Sequence, residues 1–156
     1  MTVRLEPMTP EQYESWLPAA VEGYARQRSE AGLGSIDATR ERAGKEFDAL
    51  LPDGVATPGH HLLVAYDDSR AVGTLWLHIH DGSGARRAFV YDVEVDESQR
   101  GRGHGRAIMT AGEEYAREQG ASAIALNVFA QNEVARSLYD KLGYLVTNVN
   151  MQKELA

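Results

Sequence analysis

The residues best suited to chemistry sit in one run, Tyr91 to Arg106, which carries Asp92 and Glu94 and then Arg100-Gly101-Arg102-Gly103-His104-Gly105-Arg106. Glycines at alternate positions let the backbone take positive φ and remove the Cβ atoms that would hold a ligand off the amides. Ahead of a helix, such a turn offers free N–H groups backed by the positive end of the helix dipole, an anion site suited to phosphate. Arg100, Arg102 and Arg106 add fixed positive charge. A P-loop would end in Gly-Lys-Ser/Thr, and none follows. A dinucleotide fingerprint needs its third glycine one residue later than Gly105. Taken alone, the pattern also fits a flexible glycine turn with solvated arginines.

Period-two alternation along Tyr91-Asp92-Val93-Glu94-Val95 predicts the two acids on one face and the apolar residues on the other. On an edge strand they would simply face water. On a central strand unpaired carboxylates are expensive, so two of them suggest a cleft. A carboxylate there, its pKa raised by burial and by its like-charged neighbour, could take a proton from an ammonium group. Glu94 is favoured over Asp92 because it lies nearer the strand end and the glycine turn. Tyr139 fits a core aromatic with its hydroxyl at the rim, and Asn132 an N-cap. Asn127, near a strand end, could satisfy backbone groups where strands separate. Among five histidines, His78 and His80 share a strand face and His60 precedes His61, but no cysteine or His-Glu-x-x-His spacing supports a metal site.

The elements that must position these residues are legible in order. Thr9-Pro10-Glu11-Gln12 opens a helix with a capping box, and Tyr13, Trp16, Leu17, Ala20, Val21 and Tyr24 form its apolar stripe, with a bend expected at Pro18. After Gly32 to Ser35, Asp37 is positioned to cap a second helix burying Ala43, Phe47, Leu50 and Leu51. Strands are predicted over His61–Tyr66, Ala71–His80 and Arg87–Val95. Then come the glycine turn, a helix stopped at Gly120, a strand Ala123–Val128, a helix Glu133–Leu142 and a closing pair of strands between Tyr144 and Lys153.

From Val90 to Tyr144 this order resembles the general control N-acetyltransferase (GNAT) superfamily. The match rests on a strand ending in Val95, a short acidic spacer and Arg-Gly-x-Gly-x-Gly. It continues with the strand Ala123–Val128 and with Asn132-x-x-Ala135-x-x-Leu138-Tyr139-x-x-Leu142-Gly143-Tyr144. The resemblance implies an α/β fold with a mixed, mostly antiparallel sheet of six to seven strands, about four helices, and a splay between the central strands. It implies acetyl-coenzyme A as cosubstrate, its pantetheine arm pairing with the backbone near Val93 and Val95 as an added strand, its pyrophosphate on the turn from Arg100 to Arg106. It further implies that Asn132, and less clearly Asn127, contact the arm. Tyr139 would protonate the leaving thiolate, and Glu94 with Asp92 would deprotonate an amine that attacks the thioester directly. His104 occupies a position the family commonly fills with an aliphatic residue, which leaves its role open. A non-catalytic acyl-coenzyme A sensor and a nucleotide-phosphate binder are the rival readings.

Composition sets the outer limits. At 156 residues, 43% hydrophobic and 25% charged, the chain is expected to form a single domain, residues 1–156. Without cysteine there is no disulfide framework and no acyl transfer through a thiol nucleophile. Twenty-three acidic against sixteen basic residues give a net charge of −7. That opposes general nucleic-acid binding and is compatible with a cationic small-molecule or peptide amine, though it speaks first to solubility. No apolar run approaches a membrane span and no signal-peptide region opens the chain, so a cytoplasmic protein without membrane association is expected. A homodimer stays open, and the amine itself cannot be read.

Overall fold

The computed structural model describes residues 1–156. Strand β1 (Arg4–Pro7) leads to α1 (Pro10–Glu30), where Thr9 Oγ1 accepts from Gln12 N at 3.1 Å and Gln12 Oε1 accepts from Thr9 N at 2.9 Å. These reciprocal bonds satisfy two of the donors that a helix start leaves orphaned. Pro18 lies inside an unbroken helix. Helix α2 (Ile36–Leu50) is capped by Ser35 rather than Asp37, the Ser35 hydroxyl accepting from Ala38 N at 3.2 Å. Strands β2 (His60–Asp67), β3 (Arg70–Asp81) and β4 (Arg86–Val95) follow, then α3 (His104–Glu118), β5 (Ala123–Leu126) and α4 (Glu133–Lys141). No helix is long and apolar enough to cross a membrane.

The sheet has five strands in sequence order, the first four antiparallel and β5 parallel to β4 through the α3 crossover. The closing strands expected between Tyr144 and Lys153 do not form, so the six- to seven-stranded sheet is corrected to five. One face of the sheet packs Leu63, Leu75, Leu77 and Val90 against Ile108 and Met109 of α3 and Tyr139 of α4. The other packs Leu62, Val64 and Trp76 against Ala20 of α1 and Phe47 of α2.

The β3–β4 register corrects the simple alternation. Trp76 pairs with Asp92 but Leu77 pairs with Val90, so Tyr91 is an extra residue. Such a bulge puts two neighbouring side chains on one side of the sheet. Val90 and Val93 consequently join the same core, while Tyr91 stacks on Trp76 at 4.7 Å between ring centroids, on the face that carries Asp92.

Opposite the end of β4, a Cβ added to Gly73 would collide with the Glu94 carbonyl oxygen and lie 2.8 Å from Ile108 Cδ1. The backbone cannot yield without breaking the ladder. Gly73→Ala should therefore destabilise the protein by about 1–3 kcal/mol, the usual range for overpacking. A lower urea midpoint is expected; an unchanged one would contradict this register.

Candidate functional site

Pairing between β4 and β5 runs only from Arg87–Ala123 to Val90–Leu126. Beyond Val90, β4 has a neighbour on one edge alone. Asp96 N donates to Val72 O of β3 at 2.9 Å, so by alternation Asp92 and Glu94 also direct their backbone groups at β3, and Val93 and Val95 direct theirs the other way. These amides line the gap that β5 leaves as it departs. On that side the Arg100 Nε donates to Val95 O at 3.2 Å.

The gap leads to the start of α3. Gly101 and Gly103 have φ of 78° and 86°, Gly103 is the N-cap, and no side chain caps the helix. A Cβ at either glycine would meet nothing within 4 Å, so the space beside both glycines is open. The first-turn donors of α3 are thus free for an anion. Gly105 differs from the expectation that all three glycines take positive φ. It lies in the first helical turn, where an added Cβ would sit 3.4 Å from Leu138 and 3.7 Å from Val95, so its absence sets the packing of α3 on α4 and β4. A groove of about 530 Å³ between α3 and α4, lined by Arg106, Glu133, Val134, Ser137, Leu138 and Lys141, adjoins this turn rather than the carboxylates. Arg102 and Arg106 are exposed beside it.

His104 is directed elsewhere. Its side chain is buried, with Nδ1 3.1 Å from Gln99 O and Nε2 3.1 Å from Asp67 Oδ2. A carbonyl and a carboxylate are both acceptors, so this setting favours the protonated imidazole. The Gln99 carbonyl first, and then Asp67, push the imidazole pKa above its ordinary value. The expected cofactor contact is accordingly limited to the His104 backbone N–H; the ring is a strut from the turn to β2.

Asp92, Glu94 and Tyr139 come together. Burial raises the Asp92 pKa to about 7, with Glu94 adding to the rise and the Trp16 indole offsetting part of it. Asp92 Oδ2 is buried without a hydrogen-bond partner. Glu94, with 45% of its side chain exposed, is the accessible acid, its Oε2 lying 3.6 Å from Arg100. Burial raises its pKa as well, opposed by Arg100 and reinforced by Asp96. The like-charge neighbour expected for Glu94 was Asp92; their repulsion instead falls on the more buried Asp92. Tyr139, buried on α4, has its pKa pushed up to about 12 by burial and then by Asp92 and Glu94. Asn132 Oδ1 accepts from Ala135 N at 3.2 Å as the cap of α4, and Asn127 lies exposed beyond β5.

Two neighbours of Glu94 escaped the sequence reading. An added Cβ on Gly23 of α1 would lie 4.0 Å from Glu94 Oε1, so this glycine leaves room above the acid. A glycine inside an otherwise strong helix, at a cost of about 1 kcal/mol, was the available signal. Arg100, expected on phosphate, is engaged with Glu94 and Val95 O instead. Of the residues near α1 that could face an acceptor, Tyr13 and Trp16 pack into the Trp76 core. Glu22 is held by Arg40 at 2.7 and 2.9 Å, and Tyr24 Oη accepts from Arg28 at 2.8 Å.

The sequence profile of the Acetyltransferase (GNAT) family matches residues 17–144. The uncharacterized N-acetyltransferase YycN of Bacillus subtilis (strain 168) is 35% identical over 156 residues, covering 99% of this chain and 100% of YycN. The crystal structure of YycN superposes with a TM-score of 0.95 at 34% identity, over 99% of both chains. A mycothiol acetyltransferase of Kocuria rhizophila is 34% identical over 135 residues, covering 84% of this chain but 42% of that protein.

The buried acid has a consequence for stability. With a pKa of about 7 in the fold against the ordinary 3.8, Asp92 contributes most below pH 3.8, where it is protonated folded or unfolded, and that contribution is lost as pH rises towards 7. Asp92→Asn should therefore raise the urea midpoint by an amount that grows from pH 4 to about pH 7 and then levels. A difference that is constant with pH would contradict the burial of this carboxylate.

Proposed function

Because the chain belongs to the GNAT acetyltransferase family, we propose that it transfers an acetyl group directly from acetyl-coenzyme A to an amine. The observation that carries this reading is the gap beside Val93 and Val95, which runs from the uncapped start of α3 to the cluster of Asp92, Glu94 and Tyr139. A pantetheine arm carries amide groups that complement an unpaired strand edge, and a pyrophosphate complements free first-turn amides. The residues present fit this cosubstrate.

In this reading the amides of Gly101, Gly103, His104, Gly105 and Arg106 hold the pyrophosphate, with Arg102 and Arg106 adding charge. The backbone of Val93 and Val95 orients the arm, and Asn127 and Asn132 flank it. Bound acetyl-coenzyme A supplies an activated thioester carbonyl. Glu94, the accessible acid with a raised pKa, takes a proton from the incoming ammonium at its carboxylate, and Arg100 yields as the amine arrives. Asp92 assists as the second, more buried carboxyl, its own pKa raised by burial and by Glu94. Backbone N–H groups at the end of β4 face the developing oxyanion. Tyr139 keeps its proton at Oη throughout the working range, because its pKa of about 12 disfavours ionisation. Its hydroxyl is a donor to the departing sulfur, strongest as negative charge appears there. The chemistry needs no covalent enzyme intermediate, in keeping with a chain that has no cysteine.

The acceptor is an amine of a small molecule or peptide. The name of the Kocuria relative makes a mycothiol-type amine one member of the panel to test. Thiol release from acetyl-coenzyme A should appear with at least one amine. Glu94→Gln should then lower kcat/KM by about 10²–10⁴-fold, as for a lost general base, and move its low-pH limb. A wild-type rate and pH profile in that variant would place the base elsewhere. Cosubstrate binding without turnover across the panel would favour the sensor reading.

A further inference from the structure

His104 stands where a charged ring is not expected. It is the first residue of α3, at the positive end of the helix dipole, which disfavours a cation, and its side chain is only 3% exposed. The turn around it already carries Arg100, Arg102 and Arg106. Yet Nδ1 meets the Gln99 carbonyl and Nε2 meets Asp67 Oδ2, each at 3.1 Å. A neutral imidazole donates from one nitrogen and would turn a lone pair on the other acceptor; the protonated ring satisfies both. Of the ionisable groups that bear on the ring, Asp67 from β2 favours its charge and Arg102 from the turn opposes it. Asp67 is itself held in place. It ends β2 opposite Arg70 of β3, across a tight turn in which Asp68 has φ of 54° and its carbonyl accepts from Arg4 of β1 at 3.1 Å.

We propose that His104 is a positioning residue for the cosubstrate: its protonated ring, clamped between Gln99 and Asp67, fixes the turn whose amides take the pyrophosphate and adds a buried positive charge behind them. This role rests on the reading that the turn binds the pyrophosphate of coenzyme A. In the free protein the ring's counter-charge is Asp67, 41% exposed and therefore screened by water. A bound pyrophosphate brings a second. Anion binding and retention of the ring proton thus favour each other, and by the same factor in both directions. With the anion bound the ring gives up its proton at a higher pH than in the free protein. Affinity is therefore greatest at low pH, falls as pH rises through the titration of the free protein, and levels off above that of the complex. The aliphatic residue usual at this position can supply neither the two hydrogen bonds nor the charge, so the pH dependence belongs to His104 and Asp67.

Dephospho-coenzyme A is the probe, because it lacks the 3′-phosphate monoester, whose own titration near pH 6 would mask that of the ring. By calorimetry its Kd for the wild type should rise about 3–10-fold from about pH 6 to about pH 9, which corresponds to a pKa rise of about half to one unit on binding. In His104→Gln, which keeps a donor towards Asp67 but no charge, Kd should stay level over that range and no lower than the wild-type value at high pH. Asp67→Asn should move the loss of affinity to lower pH, a change to which a ring that merely packs would be indifferent. Imidazole NMR of the wild type supplies the same answer should the Gln variant not fold: the His104 ring should titrate above the ordinary 6.5, and higher again with the probe bound. Failure of the probe to bind at any pH would remove the pyrophosphate reading and this role with it. Binding whose pH dependence is unchanged in Asp67→Asn, or a ring that titrates at the same pH with and without the probe, would overturn the role of His104 alone.

Discussion

Everything at the candidate site depends on β4 losing one of its two neighbours halfway along. Up to Val90 the strand is paired on both edges; beyond it, the amides of Val93 and Val95 face a gap. Interior strand groups without partners are normally expensive, which is why such edges are covered, paired or used. Arg100 covers the Val95 carbonyl from this side. The bulge at Tyr91 falls at the same point. It turns Tyr91 onto Trp76 and leaves Asp92 and Glu94 directed at α1 while Val93 stays in the α3 core. The irregularity that aims the acids thus coincides with the point where the strand edge opens.

Helices then tune what the gap exposes. Helix α1 buries Asp92 against Trp16 yet leaves a glycine, Gly23, over Glu94, so two carboxylates two residues apart occupy different dielectric surroundings. Their pKa values are raised by unequal influences, and Arg100 bears on the accessible one alone. Helix α4 brings the Tyr139 phenol to the same cluster, where negative neighbours keep it protonated. On the opposite side of the turn, His104 bridges Gln99 and Asp67 and fixes the start of α3 to β2. The free amides are thereby held in place by a side chain that does not face them.

What was legible in the sequence is what local chemistry determines. The capping box at Thr9 and Gln12, the Asn132 cap and the Gly101–Gly103 turn each depend on residues within a few positions, and each formed as read. The Tyr91 bulge was not legible, because it is decided by the register against β3 rather than by the alternation of β4 itself. The same limit applied to Arg100, whose type suggested phosphate while its position beside Glu94 depends on how the turn folds back. The strands expected after Tyr144 have the right residues but do not form; the chain runs instead to the α1–α2 loop, where Gln152 meets Gly32. His104 looked like a departure in a ligand turn; its acceptor, Asp67, comes from a strand end 37 residues earlier.

Amide hydrogen exchange with and without coenzyme A tests the central claim most directly, since it reads the backbone of β4 itself. If the gap accepts the pantetheine arm as an added strand, protection should rise at Val93 and Val95 and at the first-turn amides following Gly103. Asp92 and Glu94, already directed at β3, should change little. Coenzyme A binding that leaves Val93 and Val95 exchanging as fast as in the free protein would contradict this account of the site.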